Sequence, residues 1–185
     1  ISGIIFESAI QGLFLSLLLT GTFLMIAYGI LESKPLLGIV NVFPILISVA
    51  SLVGTMRFLG LSLNALTATL LSIGVGLGIA YSVHITARFV DEYEDEEDAL
   101  GALKVTLTGT GGALAGSMLT TSLGTGALAL AITPVLGNFG LLIGLSVTYS
   151  FVFSIIALPP GLIIWDRISD TEAKALAAIA SWAPV

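Results

Sequence analysis

Charge is scarce in this sequence: Lys, Arg, Asp and Glu together make up 10% of its 185 residues, where a soluble domain carries about a quarter. That leaves too little polar surface to cover a water-soluble globule. Cysteine is absent, which excludes disulfides and thiolate metal sites. There is one histidine, His84, and no nucleophile–base pair, metal-ligand cluster or phosphate-binding loop accompanies it, so a self-contained catalytic site is not expected. No cofactor and no metal are expected either. Net charge is −6, but seven of the twelve acids fall in one run, Asp91, Glu92, Glu94, Asp95, Glu96, Glu97 and Asp98. The remainder is nearly balanced, which speaks against nucleic-acid binding. Nothing resembles a basic leader before an apolar core, and the chain begins at Ile1; it reads as a piece of a longer polypeptide.

What is abundant is apolar character. Hydrophobic residues make up 56% of the chain and the mean hydropathy is +1.09. Crossing the hydrocarbon layer takes about 20 apolar residues in a helix, and five stretches qualify, at about 12–31, 36–56, 63–89, 105–132 and 139–165. Each is bounded by a charge, a proline or a glycine cluster. The expected fold is an all-α, polytopic transmembrane bundle of five helices. The expected organisation is an extracytoplasmic end at 1–11, a five-helix domain at 12–165 with an acidic linker at 91–104, and a tail at 166–185. The short connections make consecutive helices antiparallel neighbours. Pro44 inside the second stretch is tolerable where neighbours satisfy the freed carbonyl.

Lysine and arginine set orientation; acids contribute little. With the acidic run on the cytoplasmic side, Lys34, Arg88, Lys104, Arg167 and Lys174 also lie inside, and Arg57 alone lies outside. The opposite orientation would put five of the six cations outside. Residues 91–104 and the C-terminus are therefore expected in the cytoplasm, with 91–103 forming a polar helical linker in water. The tail from Ile168 to Ser181 reads equally as an interfacial helix or a frayed terminus.

The helix interiors hold no Asp, Glu, Lys or Arg, residues that in a membrane mark ion and proton paths. The best polar candidates cluster on the third stretch, from Gly74 to His84. His84 lies one turn after Ala80, on the side shared by Leu77 and Ile73. Two readings of it stand: a hydrogen-bonded residue near the helix end, or a member of a polar pathway. Tyr81 needs a hydrogen-bond partner if buried, which packing or a pathway would supply equally well. Glycine pairs at four-residue spacing, Gly74/Gly78, Gly112/Gly116 and Gly140/Gly144, suggest close helix packing, especially on helices three and four. Thr120 and Thr121, among the many hydroxyls of the fourth helix, read either as bonded to their own backbone or as part of a polar path.

The stretch Gly60-Leu61-Ser62-Leu63-Asn64-Ala65-Leu66-Thr67, followed by Gly74-Val75-Gly76-Leu77-Gly78-Ile79-Ala80-Tyr81-Ser82-Val83-His84-Ile85-Thr86-Ala87-Arg88-Phe89, resembles the resistance–nodulation–division (RND) superfamily. The likeness is closest to its archaeal and Patched-like branch, which includes the mycobacterial large membrane proteins. Ser154-Ile155-Ile156-Ala157-Leu158-Pro159-Pro160-Gly161-Leu162 is similar to the Leu-Pro signature that ends the family's sixth helix. The resemblance covers about 12–167 and implies helices 2–6 of one six-helix half, a unit shared with sterol-sensing domains. It implies Tyr81, His84, Asn64, Thr120 and Thr121 as candidates for coupling or a polar path. Where the family has a relay aspartate, this chain has Ala80.

The resemblance implies part of a secondary transporter exporting hydrophobic or amphiphilic compounds, lipids or drugs, coupled to an ion gradient through a partner half. The implied partners are the lipid bilayer, a second six-helix half in the same or a sister chain, the hydrophobic substrate, and further copies of the chain. The implied location is the plasma membrane. A sterol- or lipid-sensing module and an accessory role in protein secretion are the alternatives, and an enzyme is not expected.

Overall fold

The computed structural model describes the backbone of residues 2–96 and 98–181, and the side-chain surroundings of 7–8, 10–95 and 98–169. Five long helices follow one another: α1 (Ser2–Leu31), α2 (Leu36–Phe58), α3 (Ala65–Glu96), α4 (Ala99–Gly126) and α5 (Pro134–Ser181). A 3-10 turn at Ala127–Leu130 finishes α4. All five are long and apolar enough to cross a membrane. The chain is thus an all-helical, multi-pass membrane bundle.

The turns are built by local chemistry. After α1, the amides of Glu32 and Lys34 both donate to the Tyr28 carbonyl at 3.1 Å, and Ser33 takes a positive φ of 55°. At α3, Asn64 and Thr67 cap each other: the Thr67 amide donates to Asn64 Oδ1 at 3.0 Å, and the Asn64 amide donates to Thr67 Oγ1 at 2.8 Å, the reciprocal pattern of a capping box. Asp98 caps α4 by accepting from the Gly101 amide at 3.1 Å. Pro134 opens α5 in the first helical position, where its missing N–H costs nothing.

The expected acidic linker is not a separate element. The acids from Asp91 onward prolong α3 to Glu96, and α4 begins at Ala99. Helical hydrogen bonding simply continues past the last apolar residue, supported by the Arg88–Glu92 ion pair one turn apart. The backbone of the tail likewise continues α5 to Ser181; its side chains from 170 onward lie outside the described residues.

Burial is distributed unlike that of a water-soluble protein. Asn41, Ser48, Ser82, Thr86, Ser146, Ser150 and Ser154 are buried, whereas Phe14, Phe23, Phe43 and Leu123 are exposed. In lipid a bulky apolar side chain loses nothing by facing outward, while polar groups gain from meeting one another inside. The centre of the bundle is α3 and α5, with 50% and 44% of their spanning windows buried, against 11% for α1 and 6% for α4. Glycines set the closest crossings. A Cβ on Gly38 would lie 2.7 Å from the Leu24 carbonyl carbon, and one on Gly161 would lie 2.9 Å from Val40 Cγ1. These two positions let α2 approach α1 and α5.

Candidate functional site

The site begins with how α3 is rotated in the bundle. Gly74, Gly78 and Ser82 follow at four-residue steps, and so do Ser146, Ser150 and Ser154 on α5. Two alternating antiparallel connections leave α3 and α5 parallel, so the two rows meet in register. Gly74 faces Ser146, Gly78 faces Ser150, and Ser82 shares a hydrogen bond of 2.8 Å with Ser154, 72 positions on. A Cβ at Gly78 would sit 2.8 Å from Ser150 Cβ, and one at Gly74 would sit 3.0 Å from Ser146 Cβ. Glycine is therefore required for this approach.

With that row turned inward, the other side of α3 is turned out. Leu77, Ala80, Tyr81 and His84 line a cavity of about 340 Å³ with Ala113, Leu114, Ser117 and Thr121 of α4, and Val147 of α5. Ala80 and His84 are exposed in it. Tyr81 is buried; its ring packs edge-on against Phe151 with centroids 5.7 Å apart, and its hydroxyl interacts with the Ser117 side chain. The cavity combines a phenol, an imidazole and two hydroxyl-bearing residues in one apolar groove. No carboxylate is among its lining residues, and no group of three His, Asp or Glu that could hold a metal occurs among the described residues. The groove can therefore relay hydrogen bonds, and the imidazole of His84 is its one group able to take up a proton near neutral pH; a carboxylate would have to come from elsewhere.

The residues singled out from sequence are not all brought together. Ala80, Tyr81, His84 and Thr121 share the groove. Thr120 turns its hydroxyl onto the Ser117 carbonyl at 3.0 Å and does not line it. Asn64 lies 16 residues before Ala80, about 24 Å along the helix, and is engaged in capping α3. Gly74 and Gly78 pack as described, whereas Gly112 and Gly116 are exposed, and an added Cβ would meet nothing within 4 Å. On α4, Gly109, Gly111 and Gly124 are equally open. Gly140 and Gly144 of α5 are the glycines that bring α4 close: a Cβ on Gly140 would lie 2.6 Å from Leu128 Cβ, and one on Gly144 would lie 3.1 Å from the Ser122 carbonyl oxygen.

Two polar clusters lay beyond the sequence reading. Thr86 donates to Asn41 Oδ1 at 3.0 Å, and Asn41 Nδ2 donates to the Leu37 carbonyl at 2.8 Å. Both residues are fully buried, and the Tyr28 hydroxyl joins them by reaching the Val83 carbonyl at 3.5 Å. This ties α1, α2 and α3 together. Thr86 continues the four-residue row from Gly74 through Ser82, which was the available signal. The second cluster packs Phe89, Tyr93 and Trp165 together, Trp165 edge-on to the other two rings, with ring centroids 5.5–6.4 Å apart. Lys34 lies 5.9 Å from the Tyr93 ring and 5.7 Å from the Trp165 ring, and the Tyr93 hydroxyl donates to Asp166.

Comparison with known proteins adds to this geometry. The profile of the MMPL family matches residues 11–166. A membrane protein of Methanocaldococcus jannaschii, MJ1562, is 32% identical over 134 residues, which is 72% of this chain and 34% of that protein. The chain thus spans about a third of the length of the curated relative it matches. No solved structure matches it.

Proposed function

The chain belongs to the MMPL family of the RND superfamily, and from that premise we propose that its five helices are the membrane-embedded part of a secondary transporter exporting hydrophobic or amphiphilic compounds. The observation that carries this reading is the contrast between its exposed faces. The outer face of α1 carries Phe14, Leu15, Leu18, Leu19, Phe23 and Ile26, a surface suited to lipid tails. The exposed face beside the groove carries Ala80, His84, Gly112, Gly116, Ser117 and Thr120. Small residues permit a close helix approach, and polar ones gain from hydrogen bonds across it. That face suits a second six-helix half, in the same or a sister chain.

In this reading Ala80, in place of the relay aspartate, leaves this half without the relay carboxylate. The coupling acid then sits on the facing half, with Tyr81 and His84 supplying hydrogen bonds to it. Protonation of such an acid changes its charge and so shifts the balance between conformations. The lysine and arginine distribution supports the acidic run facing the cytoplasm, in the plasma membrane.

Transport assays on the full-length polypeptide test the reading. Tyr81→Phe and His84→Ala are each expected to reduce ion-coupled export of a lipophilic substrate while leaving the amount of folded protein unchanged. If both variants export at the parental rate, the groove is not the coupling element.

A further inference from the structure

At the end of the bundle opposite the acidic run, the turn between α2 and α3 encloses a second cavity of about 460 Å³, within the usual range of ligand pockets. It is lined by Val53, Gly54, Met56, Leu61 and Leu63, with Arg57 and Ser62 supplying polar atoms. The backbone sets its shape. The Leu59 amide bonds to the Thr55 carbonyl and the Leu61 amide reaches back to the Met56 carbonyl, both at 2.9 Å. Gly60, with φ at 70°, takes the left-handed conformation that such a helix ending requires. This closure folds Leu61 and Leu63 back beside the last turn of α2.

Two features point to a ligand. Arg57 is exposed at the end of a membrane-spanning window that finishes at Phe58, and it forms no ion pair among the described residues. A guanidinium in that position matches the fork of a phosphate or carboxylate. Gly54, one turn earlier on α2, leaves open space: a Cβ there would meet nothing within 4 Å. The geometry points to an anionic amphiphile, and we propose that a negatively charged phospholipid of the leaflet at that end occupies the cavity. Its phosphate pairs with Arg57, and the first part of an acyl chain lies against Val53, Met56, Leu61 and Leu63. A free inorganic anion gains nothing from these apolar walls, and in a zwitterionic lipid such as phosphatidylcholine the choline cation beside the phosphate competes with Arg57 for it and weakens the pairing. This site is separate from the α3–α4 groove, and its occupancy does not depend on whether the protein exports anything.

The test uses the full-length polypeptide in nanodiscs containing photoactivatable phosphatidylglycerol or phosphatidylcholine, reading the label on the peptide that holds 53–63. Phosphatidylglycerol is expected to label this segment more strongly than phosphatidylcholine. Arg57→Gln should lower phosphatidylglycerol labelling by about five- to tenfold while leaving phosphatidylcholine labelling within about twofold. Gly54→Phe fills the cavity and should lower labelling by both lipids. Both positions face open space, so thermal unfolding should be unchanged and the effects can be assigned to the cavity. Equal labelling by the two lipids, unchanged phosphatidylglycerol labelling in Arg57→Gln, or displacement by millimolar inorganic phosphate overturns the proposal. In the second case Arg57 serves only to complement the helix end.

Discussion

Replacing Gly78 by alanine is the sharpest probe of the bundle, because one methyl group must fit where the structure leaves no space for it. The new Cβ would lie 2.8 Å from Ser150 Cβ, whereas carbon atoms rest at about 3.5–4.0 Å. Either α3 and α5 part by about 0.7–1.2 Å, or Ser150 shifts with its backbone. Overpacking of this kind costs about 1–3 kcal/mol. Separation would also stretch the Ser82–Ser154 bond, 2.8 Å long and one turn away, whose loss adds about 0.6 kcal/mol. Alanine regains about 0.8–1 kcal/mol through its better helix propensity. The net expectation is a destabilisation of about 0.6–2.8 kcal/mol. Unfolding in mixed micelles of increasing dodecyl sulfate fraction, followed by circular dichroism, would measure it. Gly112→Ala is the control: nothing lies within 4 Å of its new methyl, so only the propensity gain remains, and stability should be unchanged or raised by up to about 1 kcal/mol. Ser150→Gly should rescue Gly78→Ala with a coupling of about 1–2 kcal/mol. If Gly78→Ala is as stable as Gly112→Ala, or the coupling is within about 0.5 kcal/mol of zero, α3 and α5 do not meet through Gly78 and Ser150.

A bulky residue on the open face of α4 should act differently. Gly116→Leu is expected to leave unfolding of this segment within about 0.5 kcal/mol of the parent while reducing transport by the full-length protein; full transport activity would show that the face meets lipid rather than a second half. At the other cluster, Lys34→Met removes the cation held over Tyr93 and Trp165 and should cost about 1 kcal/mol. In a Trp182→Phe background the fluorescence of Trp165 should shift with it, and an unchanged spectrum would mean that Lys34 does not sit on the ring.

How much of the site was legible from sequence depended on which neighbour a residue meets. Ala80, Tyr81 and His84 could be placed near one another because they share one helix, and helical spacing alone puts them within a turn of one another. Gly112 and Gly116 show the limit of the same logic. Their spacing matches that of Gly74 and Gly78, yet one pair lies against serines of α5 and the other is open. Spacing states that a helix has a small-residue face; it says nothing about what stands opposite. Asn64 was set among the polar candidates, but its fixed position three residues before Thr67 makes it a cap, a reading that the Asn-x-x-Thr pattern could have suggested.

The five membrane spans and their alternating directions followed from the sequence by itself. The cost of unpaired backbone polar groups in hydrocarbon leaves a long apolar run little choice but helix, and short turns leave successive helices little choice but to reverse. Local chemistry also decided the turns, through Gly60, Asn64 and Asp98. Only the tertiary structure decided which face of each helix is inside. In lipid there is no water-driven sorting of apolar from polar sides, so the rotation of α3 is set by the fit of Gly74, Gly78 and Ser82 against three serines 72 positions away. That fit turns Ala80 and His84 outward into the groove, and no pattern within α3 could have specified it.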